Sequence, residues 1–266
     1  MVINKTRKGI GKTSALLLST LSEKNKNIFT LADAVKVLQG KNSSVTKLLH
    51  DLTRKNWLFR LSKGKYLILP LEAGAEPKFT EHEFVTASAL FSPYYISYWS
   101  ALNYYGLTEQ VSKTIFIATT RRKRDKDILG LKFKFITLSK AKFFGYKSIM
   151  INNHPVNIAE REKAIIDCLD LPRNCGGILE AIKAIDESKG ELDFDKLIVY
   201  GKKMHNGAVL NRLGYILELL QIKAEIMPSK HYVVLDPISK KKGAYIRKWK
   251  IIENISRKEL LSWREH

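Results

Sequence analysis

Two short segments of the sequence, 9–13 and 125–127, have residue types and spacing that resemble catalytic motifs. Gly9-Ile10-Gly11-Lys12-Thr13 resembles the end of a phosphate-binding loop, in which backbone amides and a lysine hold phosphates. Thr6 stands where that motif needs its leading glycine, so we expect a basic arm that enters a helix and contacts phosphates. Asp125 and Asp127 could imitate paired magnesium ligands, but they follow the basic run 121–124 without a Gly-Ser turn before them. This context favours a surface loop.

The other candidates for catalysis or metal binding do not form a site. Glu76-Pro77-Lys78 has nuclease-like spacing, but Pro77 argues against a central strand and favours a linker. Cys168 and Cys175 form neither a disulfide framework nor a metal-binding spacing. The scattered histidines lack the i, i+4 spacing with a carboxylate that a zinc helix requires: His50, His82, His154, His205, His231 and His266. The sequence therefore predicts no catalytic residues, no metal and no cofactor, and a protein that is not an enzyme.

Side chains suited to nucleic-acid contact are concentrated in the first 70 residues. Those expected to reach base edges or nearby phosphates are Ser43, Ser44, Thr46, Lys47 and His50. Those expected to bind phosphates are Arg54, Arg60, Lys63 and Lys65. A second basic group is a candidate contact for nucleic acid or an anionic partner and consists of Arg121, Arg122, Lys123 and Arg124. Polar faces of this composition also occur as merely solvated surface, and that alternative stays open.

The charge distribution favours a polyanionic partner. The chain has 266 residues and a formal net charge of +20 at pH 7, which attracts polyanions and releases their counterions on binding. Residues 1–70 contain 14 Lys+Arg against 3 Asp+Glu, whereas residues 71–266 contain 32 against 23. Their net charges are therefore +11 and +9, which makes the N-terminal segment the basic module. Lysine-rich composition also occurs in thermophile proteins, so charge alone does not decide the question.

The elements that must position these side chains form a winged helix-turn-helix pattern. Apolar spacing predicts helices at 14–22, 30–40 and 43–54 and strands at 57–61 and 66–69. We expect Thr30 and Asp33 to form a capping box, Gly40 to end the second helix, and Asn42 or Ser43 to cap the third. In this fold the third helix enters the major groove and the hairpin tip lies beside a phosphate backbone. Winged helices also serve as protein-interaction modules, which is the second interpretation.

The rest of the chain predicts a larger α+β domain. Residues 71–78 lose the apolar period, so the winged helix-turn-helix DNA-binding domain is placed at 1–72 and the second domain at 79–266. Helices are expected at 81–90, 97–105, 159–170, 177–188, 193–203 and 207–221, and strands at 114–118, 132–136, 146–151, 156–158, 232–235 and 245–246. The aromatic run 94–106 is interpreted as core. The order of strands is not recoverable from the pattern.

Five segments in fixed order resemble the AbiEi-like abortive-infection antitoxins, transcriptional regulators of type IV toxin-antitoxin systems. They are Gly64-Lys-Tyr-Leu-Ile-Leu-Pro70, Tyr95-Ile-Ser-Tyr-Trp-Ser-Ala-Leu-Asn-Tyr-Tyr-Gly-Leu-Thr-Glu-Gln110, Ile115-Phe-Ile-Ala-Thr119, Val156-Asn-Ile-Ala-Glu-Arg-Glu-Lys-Ala-Ile-Ile-Asp-Cys-Leu169 with Gly176-Gly-Ile-Leu-Glu180, and Leu210-Asn-Arg-Leu-Gly214. The resemblance implies that the winged helix represses the protein's own operon by binding repeats in the promoter. It also implies a C-terminal domain that counteracts a nucleotidyltransferase-like toxin.

Several points about partners stay open at this level. The antidote could bind the toxin or oppose its effect without contact, and a stand-alone regulator or a partner-binding protein without a toxin is the alternative. A repeated operator is compatible with a dimer or with two monomers. The sequence shows no secretory signal and no uncharged apolar run near the roughly 18 residues that cross a bilayer. We therefore expect a cytoplasmic protein without a membrane partner.

Overall fold

The computed structural model describes residues 7–69, 82–110 and 112–265, which have a mixed α+β fold. They divide into two compact units. The first comprises Met1–Phe91 with Asp127–Leu131 and Ile151–His154, and the second comprises the remaining chain. The predicted linker at 71–78, with Glu76-Pro77-Lys78, lies outside the described residues.

The first unit contains four helices and a three-stranded antiparallel sheet among its described residues. In chain order the elements are α1 (Lys12–Glu23), β1 (Ile28–Thr30), α2 (Leu31–Leu38), α3 (Asn42–Arg54), β2 (Leu58–Ser62), β3 (Lys65–Ile68) and α4 (Glu83–Leu90). The strand order is β1-β3-β2, so β3 is the central strand. The three predicted helices and the hairpin are present, whereas β1 was not predicted.

An apolar core holds this unit together. Leu17 and Leu21 of α1 and Leu49 and Leu52 of α3 are buried with Phe29 of β1. Burying a leucine side chain fully stabilises a fold by about 1.5–3 kcal/mol relative to leaving it exposed. The leucine spacing that predicted the helices is therefore also what fixes α1 and α3 against the sheet.

The ends of α2 and α3 differ in part from the prediction. The capping box is confirmed, because the Thr30 hydroxyl accepts from the Asp33 amide and the Asp33 carboxylate accepts from the Thr30 amide. Gly40 does not provide the left-handed residue that ends α2, since Gln39 adopts φ 50° instead. The expectation that Asn42 or Ser43 caps α3 was also wrong. The helix begins at Asn42 after Lys41, and no side chain caps it.

Helix α4 groups with the first unit, although the sequence places the second domain from residue 79 onward. The ammonium of Lys65, at the start of β3, donates to the Ala89 carbonyl of α4 at 3.3 Å, and α4 also packs against β2. The compact unit therefore extends to Phe91. Apolar period alone could not assign this helix, because the pattern predicts a buried face and not the element against which that face packs.

The second unit contains a mixed sheet, a smaller sheet and several helices. The strands of the larger sheet are β4 (Tyr95–Ile96), β5 (Thr114–Thr119), β6 (Lys126–Ile128), β7 (Leu131–Thr137), β8 (Tyr146–Ile151) and β9 (His154–Ala159), in the order β6-β7-β5-β4-β9-β8. Most of β6 and one terminal residue each of β7, β8 and β9 fall in the segments that group with the first unit. Its helices are α5 (Tyr98–Tyr104), α6 (Arg161–Asp170), α7 (Ile178–Glu187), α8 (Phe194–Lys203), α9 (Gly207–Leu219) and α10 (Arg257–Leu260). The smaller sheet has the order β10-β12-β11, formed by β10 (Val233–Val234), β11 (Ala244–Ile246) and β12 (Ile251–Glu253).

Helix α6 is the centre of this unit. Every residue from Glu162 to Asp170 is buried, and the helix packs against α5, α7, α8 and α9. Tyr95 and Tyr98, from the aromatic run, are fully buried nearby, which confirms their interpretation as core. The part of segment 156–169 that forms α6 is thus largely internal scaffold.

Candidate nucleic-acid interface

Helix α3 has one buried face and one solvent-exposed face. Val45, Leu49 and Leu52 point into the core of the first unit. The opposite face exposes all of the side chains predicted to contact DNA from this helix, which are Ser43, Ser44, Thr46, Lys47, His50 and Arg54. Thr46 donates its hydroxyl proton to the Asn42 carbonyl at 2.7 Å, so its oxygen stays available as an acceptor. The face therefore presents hydroxyls, an ammonium, an imidazole and a guanidinium to solvent.

An ion pair and hydrogen bonds hold the N-terminus of α2, the helix that precedes α3. Lys26 donates to Asp33 at 2.6 Å, and the same carboxylate accepts from the backbone and hydroxyl of Thr30. Burial alone would raise the pKa of Asp33, but the hydrogen bonds from Lys26 and Thr30 outweigh it and lower that pKa. The carboxylate is thus charged at neutral pH, beside the N-terminus of α2 where a negative charge is favourable.

The hairpin turn between β2 and β3 lies beside the N-terminus of α2. The Gly64 carbonyl accepts from the Leu31 amide at 2.9 Å, and Thr30 pairs with Lys65 across the sheet. Gly64 has φ 72°, a left-handed conformation that glycine adopts without steric cost. Arg60 on β2 and Lys63 in the turn are exposed. The turn is therefore short and anchored, and the hairpin presents one cation from the turn and one from β2 to solvent.

Two of the predicted phosphate contacts have partners within the protein. Lys65 is half-buried, and its ammonium is directed to Ala89 rather than freely into solvent. Arg54 donates to Asp51 at 3.1 Å in an exposed pair. An exposed pair of this kind is worth at most about 1 kcal/mol, so Arg54 can exchange Asp51 for a phosphate.

An N-terminal arm is anchored on Trp57, a contact that the sequence analysis did not predict. The Arg7 guanidinium lies 5.0 Å from the centre of the Trp57 ring, and the indole N–H donates to the Lys8 carbonyl at 2.8 Å. Lys55 donates to the Gly9 carbonyl at 3.1 Å. Residues 7–11 contain no strand, and Lys12 is the first residue of α1. Residues 7–11 thus form an extended basic segment that leads into α1, whereas the residues that would form the strand before a phosphate-binding loop lie outside the described residues.

The second basic group belongs to the second unit. Arg121, Arg122 and Arg124 are exposed, and the Arg121 guanidinium donates to the Ser92 carbonyl. Burial, followed by repulsion from Lys123, lowers the pKa of Lys126. The predicted surface loop was wrong at its end, because Lys126–Ile128 forms β6.

The two aspartates near this group have different surroundings. Asp125 accepts from the Phe135 amide at 3.1 Å, while Asp127 lies within β6. Among the described residues, no group of three or more His, Cys, Asp or Glu side chains is placed to hold a metal ion. Cys168 and Cys175 are both buried free thiols. No helix in the described ranges is long and apolar enough to span a bilayer.

Comparison with known proteins gives similarity in fold only. No family model matches this chain, and no curated protein matches it. A crystal structure of the RV2827C protein from Mycobacterium tuberculosis is similar with a TM-score of 0.69, over 98% of this chain and 97% of that chain, at 13% sequence identity. The likeness spans both units, and at this identity it shows that the chain shares the mixed α+β architecture of that protein.

Proposed function

We propose that the first unit is a winged helix-turn-helix that binds duplex DNA in a sequence-dependent manner. The observation on which the proposal depends is the exposed face of α3, where Lys47 and His50 lie opposite the buried leucines. The element order from α1 to β3 supports it, because a third helix followed by a hairpin is the arrangement in which that helix enters the major groove. The similar solved structure bears only on the fold.

The side chains divide by what they can contact. An exposed lysine such as Lys47 can donate to guanine O6 and N7, and hydroxyls such as Ser43 and Thr46 can bond several base edges. Arg54, Arg60 and Lys63 supply charge for phosphates, which fixes register without selecting sequence. The expected result is a specific complex whose affinity falls steeply with salt.

We further propose that the protein is a repressor of its own operon and the antitoxin of a nucleotidyltransferase-like toxin. The support is the fixed order of the five segments that resemble AbiEi-like antitoxins. If the antidote binds its toxin, exposed residues of the second unit would make the contact, because α6 is internal, and Arg122 and Arg124 are candidates. The alternative is an antidote that opposes the effect of the toxin without contact. A stand-alone regulator, or a partner-binding protein without a toxin, is the alternative.

Binding to the duplex upstream of the gene tests the DNA proposal. Fluorescence anisotropy at several salt concentrations should give a log-log slope of about −0.9 per phosphate neutralised, and weaker binding to a scrambled duplex. Lys47→Ala should reduce the specific affinity by about 1–3 kcal/mol. Lys258→Ala removes another exposed charge, from α10 in the second unit, and serves as the matched control. Equal affinity for both duplexes would overturn the proposal.

Co-expression with the product of the adjacent gene tests the antitoxin proposal. If that product is a nucleotidyltransferase-like toxin, the wild-type chain should restore growth, and Lys47→Ala should restore growth while losing repression of a promoter reporter. Loss of rescue in an Arg122→Ala/Arg124→Ala variant that still represses would locate the antidote in the second unit. Co-purification of another protein without any rescue would favour the partner-binding alternative.

A further inference from the structure

A second concentration of positive charge lies near the C-terminus, at residues 223–250. This segment contains eight Lys+Arg, which are Lys223, Lys230, Lys240, Lys241, Lys242, Arg247, Lys248 and Lys250, against two acids, Glu225 and Asp236. Its net charge is therefore +6 over 28 residues, a higher density than the +11 over residues 1–70. This second basic segment was not predicted, because the comparison of residues 1–70 with residues 71–266 averages its charge over the longer range.

The segment supplies two strands of the small sheet, and one face of that sheet is open to solvent. Tyr245 pairs with Ile252, which in turn pairs with Val234. Paired residues lie on the same face of a sheet, so Tyr245 lies on the same face as Ile252 and Val234. Because side chains alternate between the two faces along a strand, Tyr232, two residues before Val234, also lies on this face. The opposite face contains Ile251, which is fully buried. We call the open side the tyrosine face, defined by Tyr232, Val234, Tyr245 and Ile252.

The two tyrosines form an exposed aromatic pair. Their ring centroids are 5.1 Å apart at an interplanar angle of 71°. Tyr245 is 66% exposed and Tyr232 is 37% exposed, and the Lys250 ammonium lies 5.2 Å from the centre of the Tyr232 ring. Exposed aromatic surface on a folded domain commonly marks a binding site. Here a cation already lies against one of the rings.

Further exposed cations are close in sequence to the residues of the tyrosine face. Lys240, Lys241 and Lys242 are exposed immediately before β11, and Arg247 is exposed immediately after it. Lys230 is exposed two residues before Tyr232. Lys248 differs from these, because it forms an ion pair with Glu218. Positive charge thus occurs at both ends of β11, with aromatic rings between.

We propose that the tyrosine face binds single-stranded nucleic acid. Bases stack on Tyr232 and Tyr245 while Lys240–Lys242 and Lys250 neutralise the phosphates, which is the combination that holds single strands without strict sequence preference. A duplex keeps its bases paired and stacked internally, so it cannot use the rings. This site is separate from the α3 face and does not depend on the proposed duplex binding.

The test uses the full chain and fluorescein-labelled twelve-residue oligonucleotides of uridine or thymidine, followed by anisotropy. Tyr245→Ala and Tyr232→Ala should each weaken binding by roughly 5- to 150-fold, the range expected when one base loses its aromatic partner. Tyr245→Phe keeps the ring and should bind like wild type. Tyr104→Ala is the matched control, because Tyr104 is also exposed and pairs edge-to-face with a neighbouring tyrosine. The two oligonucleotides distinguish RNA from DNA as the preferred strand.

Two outcomes would overturn the proposal. The first is that both alanine variants bind the oligonucleotide with wild-type affinity and that poly-glutamate displaces the labelled oligonucleotide as well as unlabelled oligonucleotide does. That result would indicate a surface that binds by charge alone and that suits an acidic protein. The other is equal affinity for a twelve-base-pair duplex through the same residues. Lys47→Ala should leave the affinity for the oligonucleotide unchanged, because Lys47 is not part of the tyrosine face. A failure of the single-strand proposal is therefore distinguishable from a failure of the proposed duplex binding by α3.

Discussion

Lys163 donates a hydrogen bond from its ammonium to Asp167, one turn further along α6, and both side chains are fully buried. The other oxygen of the carboxylate accepts from the Tyr95 and Ser97 hydroxyls at 3.1 and 2.7 Å. Burial, followed by the nearby Asp167 charge, raises the pKa of Tyr95 well above its usual range, so the phenol remains a donor. The Lys163 ammonium also lies 4.8 Å from the centre of the Phe144 ring. The carboxylate is satisfied by three donors from separate elements.

Removing Asp167 should strongly destabilise the protein. Asp167→Ala leaves the Lys163 charge buried without its counter-ion, and breaking a buried pair in this way costs about 3–5 kcal/mol. Urea unfolding followed by circular dichroism measures the loss in free energy of unfolding. Asp51→Ala, which removes the exposed partner of Arg54, should cost less than about 1 kcal/mol. Equal losses in the two variants would contradict the role assigned to the buried pair.

Apolar spacing predicted a helix at 159–170, and the same segment carries part of the family resemblance. The i, i+4 spacing of Lys163 and Asp167 was a usable signal, since such residues face each other on a helix. It did not reveal burial, because a charged pair on one helix face is usually solvated. The burial arises from α5, α7, α8 and α9, which surround α6 on several sides. That information lies in long-range packing, which local spacing does not contain.

Gly214 is required by close packing of α9 on a tryptophan. A Cβ added there would lie 2.1 Å from Cζ3 of Trp249, whose side chain is buried. Gly214→Ala should therefore destabilise the protein by about 1–3 kcal/mol through overpacking. Gly190→Ala is the control, because a Cβ there meets nothing within 4 Å. Thermal unfolding compares the two. A Gly214→Ala protein as stable as the Gly190→Ala protein would show that Trp249 moves aside freely.

The ion pair between Asp186 and Arg264 should make stability depend on acid pH. Arg264 donates to the two carboxylate oxygens at 2.7 and 2.6 Å, and this hydrogen bonding, with help from Lys189, lowers the pKa of Asp186 from 3.8 to about 2. Because the folded-state pKa is below the unfolded value, the contribution is complete above about pH 4 and is lost as pH falls towards 2.

A comparison with Arg264→Ala checks this sign. The difference in free energy of unfolding between wild type and the variant should be about 1 kcal/mol at pH 7, since the arginine is partly exposed and solvent screens the pair. The difference should shrink between pH 4 and pH 2. Lys258→Ala, which removes an exposed charge from α10, should show no such trend. A difference that is constant down to pH 2 would assign the effect of Arg264 to packing.

Helices were predictable from this sequence, whereas the short strands were predicted only in part: the strands expected at 232–235 and 245–246 are present as β10 and β11. Leucines at helical spacing located α3 to within one residue of its observed start at Asn42. In contrast, β1 and β12 have three residues each, too few to show an alternating pattern, and are defined by pairing with distant segments. The tyrosine face was missed for the same reason. Tyr232 and Tyr245 meet only because β12 lies between β10 and β11 in the sheet.

The turn of the hairpin offers a sharper test of the predicted phosphate contacts than the helix does. Lys63 and Lys65 are two residues apart with Gly64 between them, and sequence analysis assigned both to phosphates. The structure separates them, because Lys63 is exposed whereas the Lys65 ammonium donates to Ala89. Lys63→Ala should therefore reduce the magnitude of the salt slope for duplex binding by about 0.9 and weaken all sequences alike.

Lys65→Ala should leave the salt slope for duplex binding unchanged. It should instead lower the stability of the first unit, because the Lys65 ammonium binds the Ala89 carbonyl near the C-terminus of α4. A modest loss of thermal stability, with wild-type salt dependence, is the expected result. Anisotropy titrations of both variants at several salt concentrations, on cognate and scrambled duplexes, measure the two slopes. Equal reductions would mean that Lys65 leaves Ala89 when DNA binds. No reduction in either variant would remove the hairpin from the interface and leave α3 as the contact.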